Sequence, residues 1–206
     1  LSGVVYDADG QPAAEVWVVA YDSQMVTGDE EDWLTETDAE GRWSLEVPAG
    51  RYRVRYIPYH SLNLAEDWQG DGLACDTEPL PLGAEQAVDL AWSLEEGGEL
   101  AGVVVDSLGD PVPGVTLTAE TTLVRTTTYP RQALSGADGS FLLSGIPMEA
   151  GESGTWRVEA HHEEWPVQFL GDPSSYIPIT AQSWQVEPGT LGDLGTLGLL
   201  DGIRIT

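Results

Sequence analysis

The chain repeats itself. Residues 1–20 read LSGVVYDADGQPAAEVWVVA and residues 100–119 read LAGVVVDSLGDPVPGVTLTA, identical at 9 of the 20 positions without a gap. The shared residues include Gly3 and Gly102, the Val4-Val5 and Val103-Val104 pairs, Asp7 and Asp106, Gly10 and Gly109, and Pro12 and Pro111. A second echo sets Gly41-Arg42-Trp43-Ser44-Leu45 against Gly139-Ser140-Phe141-Leu142-Leu143, and a third sets Tyr52-Arg53-Val54 against Trp156-Arg157-Val158. Order is kept and only loop lengths change, which is the signature of one unit used twice.

Each copy reads as short strands joined by tight turns. In the first, Val4-Val5-Tyr6 runs into Asp9-Gly10-Gln11-Pro12, and Val16-Trp17-Val18-Val19-Ala20-Tyr21 resumes the extended chain. Asp favours such turns, Gly accepts a positive φ and Pro stiffens the exit. Asp38-Ala39-Glu40-Gly41 and Ala137-Asp138-Gly139 supply second turns, after which Trp43-Ser44-Leu45-Glu46-Val47 alternates apolar with polar, the period of a half-buried strand. Tyr52-Arg53-Val54-Arg55-Tyr56 alternates likewise and puts both arginines on one face. Residues 58–84 and 161–189 read as long irregular stretches, residues 62–68 as a short turn of helix, and residues 87–94 and 191–199 as closing strands. Closely spaced strands punctuated by Gly and Pro predict an all-β chain of two tandem antiparallel β-sandwich domains, prealbumin-like or Ig-like. The expected domains are residues 1–97 and 98–206, with Glu95-Glu96-Gly97-Gly98-Glu99 as the boundary and a further strand beginning at 201–206.

The 206 residues carry 35 acids against 8 basic side chains, a formal net charge of −27. All eight bases are arginine; there is no lysine. Duplex nucleic acid is thereby excluded as a partner, since its binding needs cations to neutralise phosphates. Lysine-dependent chemistry, a Schiff base or a phosphate-loop lysine, is excluded too. The acidity reads as a solvated surface that serves solubility. With 41% hydrophobic residues and eight Trp, the chain has too much apolar surface to stay unfolded. Cys75 is the single cysteine, so no disulfide forms within the chain. Gly72-Leu73-Ala74-Cys75 lacks the apolar run of a lipoprotein signal, and no stretch approaches the roughly 20 apolar residues of a membrane span. The start inside a strand and without Met suggests a processed or excised piece.

The string carried by Gly3, Val5, Asp7, Gly10, Pro12, Val16 and Val18, then Asp38, Gly41, Trp43 and Leu45, then Pro48, Gly50, Tyr52 and Val54, resembles the carboxypeptidase regulatory-like domain. The resemblance implies a transthyretin-like sandwich of about seven strands and no catalytic residues. The second copy departs from the pattern between Pro147 and Trp156, where the link is longer. The arrangement is also similar to the collagen-adhesin B-type repeats of bacterial surface proteins, many of which are locked by a Lys–Asn isopeptide bond. Without lysine, a stalk of this kind is held by packing alone.

Chemistry has few candidates. His60, His161 and His162 are too few and badly spaced for a three-histidine metal site, since adjacent strand residues face opposite ways. Carboxylate pairs are too abundant to signal glycoside hydrolysis, and no serine has a nucleophile-elbow context. Calcium, which wants several oxygen ligands from an acidic loop, is the one cofactor to consider, with Asp29, Glu30, Glu31 and Asp32 as its ligands. Carbohydrate would stack on aromatics read as loop residues, Trp33, Tyr59 and Trp68. The expected function is a non-catalytic structural spacer of a secreted or cell-surface bacterial protein, with neighbouring domains or copies of itself as partners and a role in extracellular assembly. The alternative is a carbohydrate- or calcium-binding accessory module.

Overall fold

The computed structural model describes residues 1–23, 33–59, 61–69, 77–121, 130–147, 154–170 and 182–200. The chain divides into two compact units, Leu1–Glu96 and Gly97–Thr206, and every regular element among the described residues is a strand. The first unit holds β1 (Ser2–Tyr6), β2 (Val16–Asp22), β3 (Trp33–Glu36), β4 (Arg42–Ser44), β5 (Gly50–Pro58), β6 (Asp67–Trp68), β7 (Leu80–Leu82) and β8 (Asp89–Ser93). The second holds β9 (Gly98–Val105), β10 (Thr116–Thr121), β11 (Arg131–Leu134), β12 (Ser140–Ile146), β13 (Gly154–His162), β14 (Trp165–Phe169), β15 (Trp184–Val186) and β16 (Leu191–Gly198).

Both units have one strand order. A small sheet runs β4-β1-β8 in the first and β12-β9-β16 in the second; a larger one runs β3-β2-β5-β6 with β7 also on β5, and β11-β10-β13-β14 with β15 also on β13. The sandwich architecture is the expected one, and each unit adds one parallel pair. β8 lies parallel to β1, with Val5 opposite Trp92, and β16 parallel to β9, with Val104 opposite Leu197. Between the sheets of the first unit, Val5, Val16, Val18, Trp43, Val54 and Tyr56 pack together. Leu100, Val104, Leu117, Phe141, Val158 and Leu197 do the same in the second. Each such side chain stabilises its unit by about 1.5–3 kcal/mol.

The repeated turn residues serve the backbone. Asp7 Oδ1 accepts from the amides of Asp9 (3.0 Å) and Gln11 (2.7 Å); Asp106 Oδ1 accepts from Leu108 and Asp110, both at 2.9 Å. Asp38 Oδ1 caps the amides of Glu40 and Arg42 in the same way, and Asp138 Oδ1 takes the Ser140 amide and hydroxyl. The second turn of each copy leans on the first strand: Gly41 O accepts from Val5 N, and Gly139 O from Val104 N, both at 2.9 Å. The chain then leaves the small sheet for the large one, and the groups buried at that crossing are paired by a hydroxyl. Thr37 Oγ1 donates to Ala13 O (2.8 Å) and accepts from Val16 N (3.0 Å). Ser135 Oγ donates to Val112 O (2.8 Å) and accepts from Val115 N (2.9 Å).

Several local readings are corrected. Residues 62–68 are not helical: Leu62 N closes a single turn on Tyr59 O, Ala65 N reaches Glu95 O, and Asp67–Trp68 joins β5 as β6. Trp33 and Trp68, read as loop residues, lie in β3 and β6, and Trp165, inside a stretch read as irregular, lies in β14. The stretches read as irregular hold β6, β7, β14 and β15. Their prolines, exposed Pro81 in β7 and Pro166 in β14, mask them as loops, yet proline is tolerated in edge strands because it lacks only a donor. Among the described residues no helix is long and apolar enough to cross a membrane.

Gly41 has φ +69°, and a Cβ there would come within 2.4 Å of Val5 O. Gly41→Ala is therefore expected to cost the first unit about 2 kcal/mol or more in urea unfolding, from left-handed backbone plus a clash with main chain that cannot yield. A loss below about 0.5 kcal/mol would show that the turn does not press on β1 as described.

Candidate functional site

Cross-strand partners share a face of a sheet, so the register identifies what the first unit's large sheet turns outward. Trp17 stands between Glu36 of β3 and Ile57 of β5; Val19 stands between Leu34 and Arg55; Tyr21 lies opposite Arg53. Tyr59 N donates to Glu15 O at 3.1 Å, which carries the β2–β5 ladder one step further. The Trp17 indole donates to Tyr59 Oη at 3.2 Å, with ring centroids 5.2 Å apart and planes at 70°. Trp17 remains 36% exposed, Tyr59 37% and Leu34 55%, above buried Val19 and Ile57.

The other end of this face is closed. Arg55 pairs with Glu66 at 2.7 Å, the side chains only 5% and 4% exposed. The Arg55 guanidinium lies 5.1 Å over the Trp68 ring, which packs on Tyr21 at 5.4 Å. Removing one member of so buried a pair strands a charge, at a cost of about 3–5 kcal/mol. Beside it, Asp67 Oδ2 accepts from the Trp92 indole at 3.0 Å, joining β6 of the large sheet to β8 of the small one. Trp92 stacks on Tyr56, whose hydroxyl donates to Gln69 Oε1 at 2.7 Å. Burial, and then the negative charge of Asp67, push the Tyr56 hydroxyl far above the usual phenol range.

The residues expected to stack on carbohydrate do not converge. Trp33 packs edge-on against buried Tyr52 at 5.4 Å, on the core side of the sheet. Tyr59 and Trp68 are on the outer side, but Trp68 sits opposite Arg55, four residues back along β5 from Tyr59, or roughly 13 Å. Asp29, Glu30, Glu31 and Asp32 lie outside the described residues, as do His60, Cys75 and residues 201–206. His162 is occupied, its Nδ1 accepting from Glu164 N at 3.1 Å and its ring against Trp165 at 4.9 Å. Among the described residues no three His, Cys, Asp or Glu side chains are grouped to hold a metal ion. A shallow depression of about 230 Å³ is lined by Asp7, Asp9, Asn63 and Glu96, where Asp7 is engaged by its own turn.

The corresponding face of the second unit carries Leu134 opposite Thr116, with Thr118 and Glu120 following along β10. Thr116, Thr118 and Glu120 of β10 stand opposite His161, Glu159 and Arg157 of β13. Arg157 lies 5.6 Å over the Phe169 ring. Glu159 is held above the usual carboxylate range, first by partial burial and then by Glu120, with His161 pulling the other way.

No family model matches the chain, and no curated protein matches it. Solved structures do, at a distance. The streptococcal ancillary pilin is 15% identical over 97% of this chain, with a TM-score of 0.38, and this chain spans 61% of its length. A variant of the shaft pilin SpaA of Lactobacillus rhamnosus GG is 10% identical, covers 98% of each chain and has a TM-score of 0.37. The dioxygenase domain of a dioxygenase carbohydrate-binding protein fusion from Streptomyces sp. SirexAA-E is 21% identical over 50% of this chain, and 79% of that chain, with a TM-score of 0.34. Likeness at this level assigns no function.

The raised Glu159 has a signed consequence. Its charged form is disfavoured by folding, so the penalty is full above the folded value and vanishes below the unfolded one. Glu159→Gln is expected to raise the thermal midpoint of the second unit at pH 7 and to change it little at pH 4. An equal gain at both, or a loss at pH 7, would contradict this.

Proposed function

We propose that the chain is a pair of carboxypeptidase regulatory-like sandwiches acting as non-catalytic spacers of a secreted or cell-surface bacterial protein, with other polypeptides as partners. The observation that carries this reading is where the repeated polar residues are spent. Asp7, Asp38, Asp106 and Asp138 cap turn amides, and Thr37 and Ser135 pair buried main chain. A duplicated catalytic or ligand site would instead repeat side chains whose polar atoms converge on open space. Without lysine or a disulfide, each module is held by packing and main-chain hydrogen bonds. Such modules tolerate divergence of their surfaces while the turns stay fixed.

The test is titration calorimetry of the 206-residue chain with calcium and with a panel of plant and microbial glycans. The spacer reading expects no saturable heat from either. Saturable calcium binding lost in Asp29→Ala, or saturable glycan binding lost in Trp33→Ala or Trp68→Ala, would replace it with the accessory-module reading.

A further inference from the structure

The two units share turns, hydroxyl staples and strand order, yet one surface belongs to the first unit alone. Around the exposed Trp17–Tyr59 pair stand Glu36, the cross-strand partner of Trp17, and Glu15, whose carbonyl holds Tyr59. Leu34 is exposed beside them. Register places Thr116 of the second unit where Trp17 stands, Leu134 where Glu36 stands and Gln132 where Leu34 stands. The fold therefore does not require this group.

Glu15 makes the point most sharply. It has φ +58°, a left-handed conformation that L side chains avoid. The aligned residue of the second unit is Gly114, with φ +75°. The first unit thus carries a carboxylate at a position where the backbone favours glycine. Strain retained in this way points to a use for the side chain.

We propose that this outer face of the first unit is a docking surface for an extended polypeptide segment, one face of which carries Lys or Arg side chains interspersed with apolar ones. Charge decides the occupant. A cation over the Trp17 and Tyr59 rings is attracted by their π faces within about 6 Å, and Glu15 and Glu36 flank it. Neither carboxylate has an ion pair among the described residues. The same sheet already seats a guanidinium over an indole where Arg55 covers Trp68. Leu34 and the body of Trp17 need apolar partners; an extended strand turns every second residue to one face, about every 6.6 Å, so cationic and apolar side chains that take turns at those every-second positions meet this face together. A second copy of this chain would bring its own net charge of −27 and no lysine. This inference goes beyond the spacer reading and does not depend on it.

The experiment titrates the 206-residue chain with a peptide of about ten residues whose every-second positions take turns between Lys or Arg and Val or Leu, the positions between them being Ser or Thr, and with the same peptide carrying Glu at the cationic positions. One-to-one binding of the cationic peptide alone is expected. It should weaken at least tenfold in Glu15→Gly, Trp17→Thr and Glu36→Gln, and stay unchanged in Glu120→Gln on the second unit. Glu15→Gly should bind less while unfolding at a higher temperature, which separates lost contact from lost fold. Equal affinity in all variants would mean diffuse attraction to an acidic protein and would overturn the proposal. So would equal binding of the acidic peptide, a glycan whose binding is lost in Trp17→Thr, or self-association in sedimentation that Trp17→Thr abolishes.

Discussion

Each unit depends on how its chain passes from one sheet to the other between its first two strands. The passage takes nine residues in the first unit, from Tyr6 to Val16. It runs through the core end, where unpaired amides and carbonyls would cost more than the sandwich gains locally. The structure meets this with a hydroxyl. Thr37 takes Ala13 O and Val16 N, Ser135 takes Val112 O and Val115 N, and both side chains are buried. The Asp-capped turns then follow as consequences: they aim the chain into the crossing, and Gly41 and Gly139 let the second turn rest directly on the opening strand.

The exit of the closing strand poses a related problem, and the units solve it differently. In the first, Ala65 N donates to Glu95 O, and Asp67 binds the Trp92 indole. In the second, buried Gln168 accepts from Leu200 N at 2.7 Å and donates to Pro166 O at 3.3 Å, an amide side chain taking the part of a neighbouring strand. Main chain and side chain are interchangeable here because only the hydrogen bond is required. Where the requirement is a side chain itself, as at Trp17 and Glu15, the copies diverge completely, and that divergence is where partner recognition is to be sought.

Much of this was legible in the residues. Asp7-x-x-Gly10 and Asp38-x-x-Gly41 announce their turns because an Asp carboxylate and a glycine with positive φ answer the same geometric need. The alternation of Val16, Val18 and Ala20 marks the buried face of β2, and the same period puts Trp17 on the opposite face. What stayed hidden has physical causes. The edge strands β7 and β14 carry proline, and β6 and β15 have too few residues to show a period. The parallel closing pair leaves no trace, since a strand reads alike in either direction. Thr37 and Ser135 look like turn residues; only the buried crossing makes them structural. The strain at Glu15 was present in the alignment with Gly114, but a φ value was needed to give it meaning.

Amide hydrogen exchange tests this account most directly. Val16 opens β2, Val115 directly precedes β10, and both amides have hydroxyl rather than main-chain acceptors, so an ordinary strand end would let them exchange rapidly. If the buried hydroxyls anchor the crossings, both amides will exchange as slowly as those of the central strand residues Val18 and Leu117. Exchange at the rate of the exposed turn amides of Asp9 and Leu108 would contradict it.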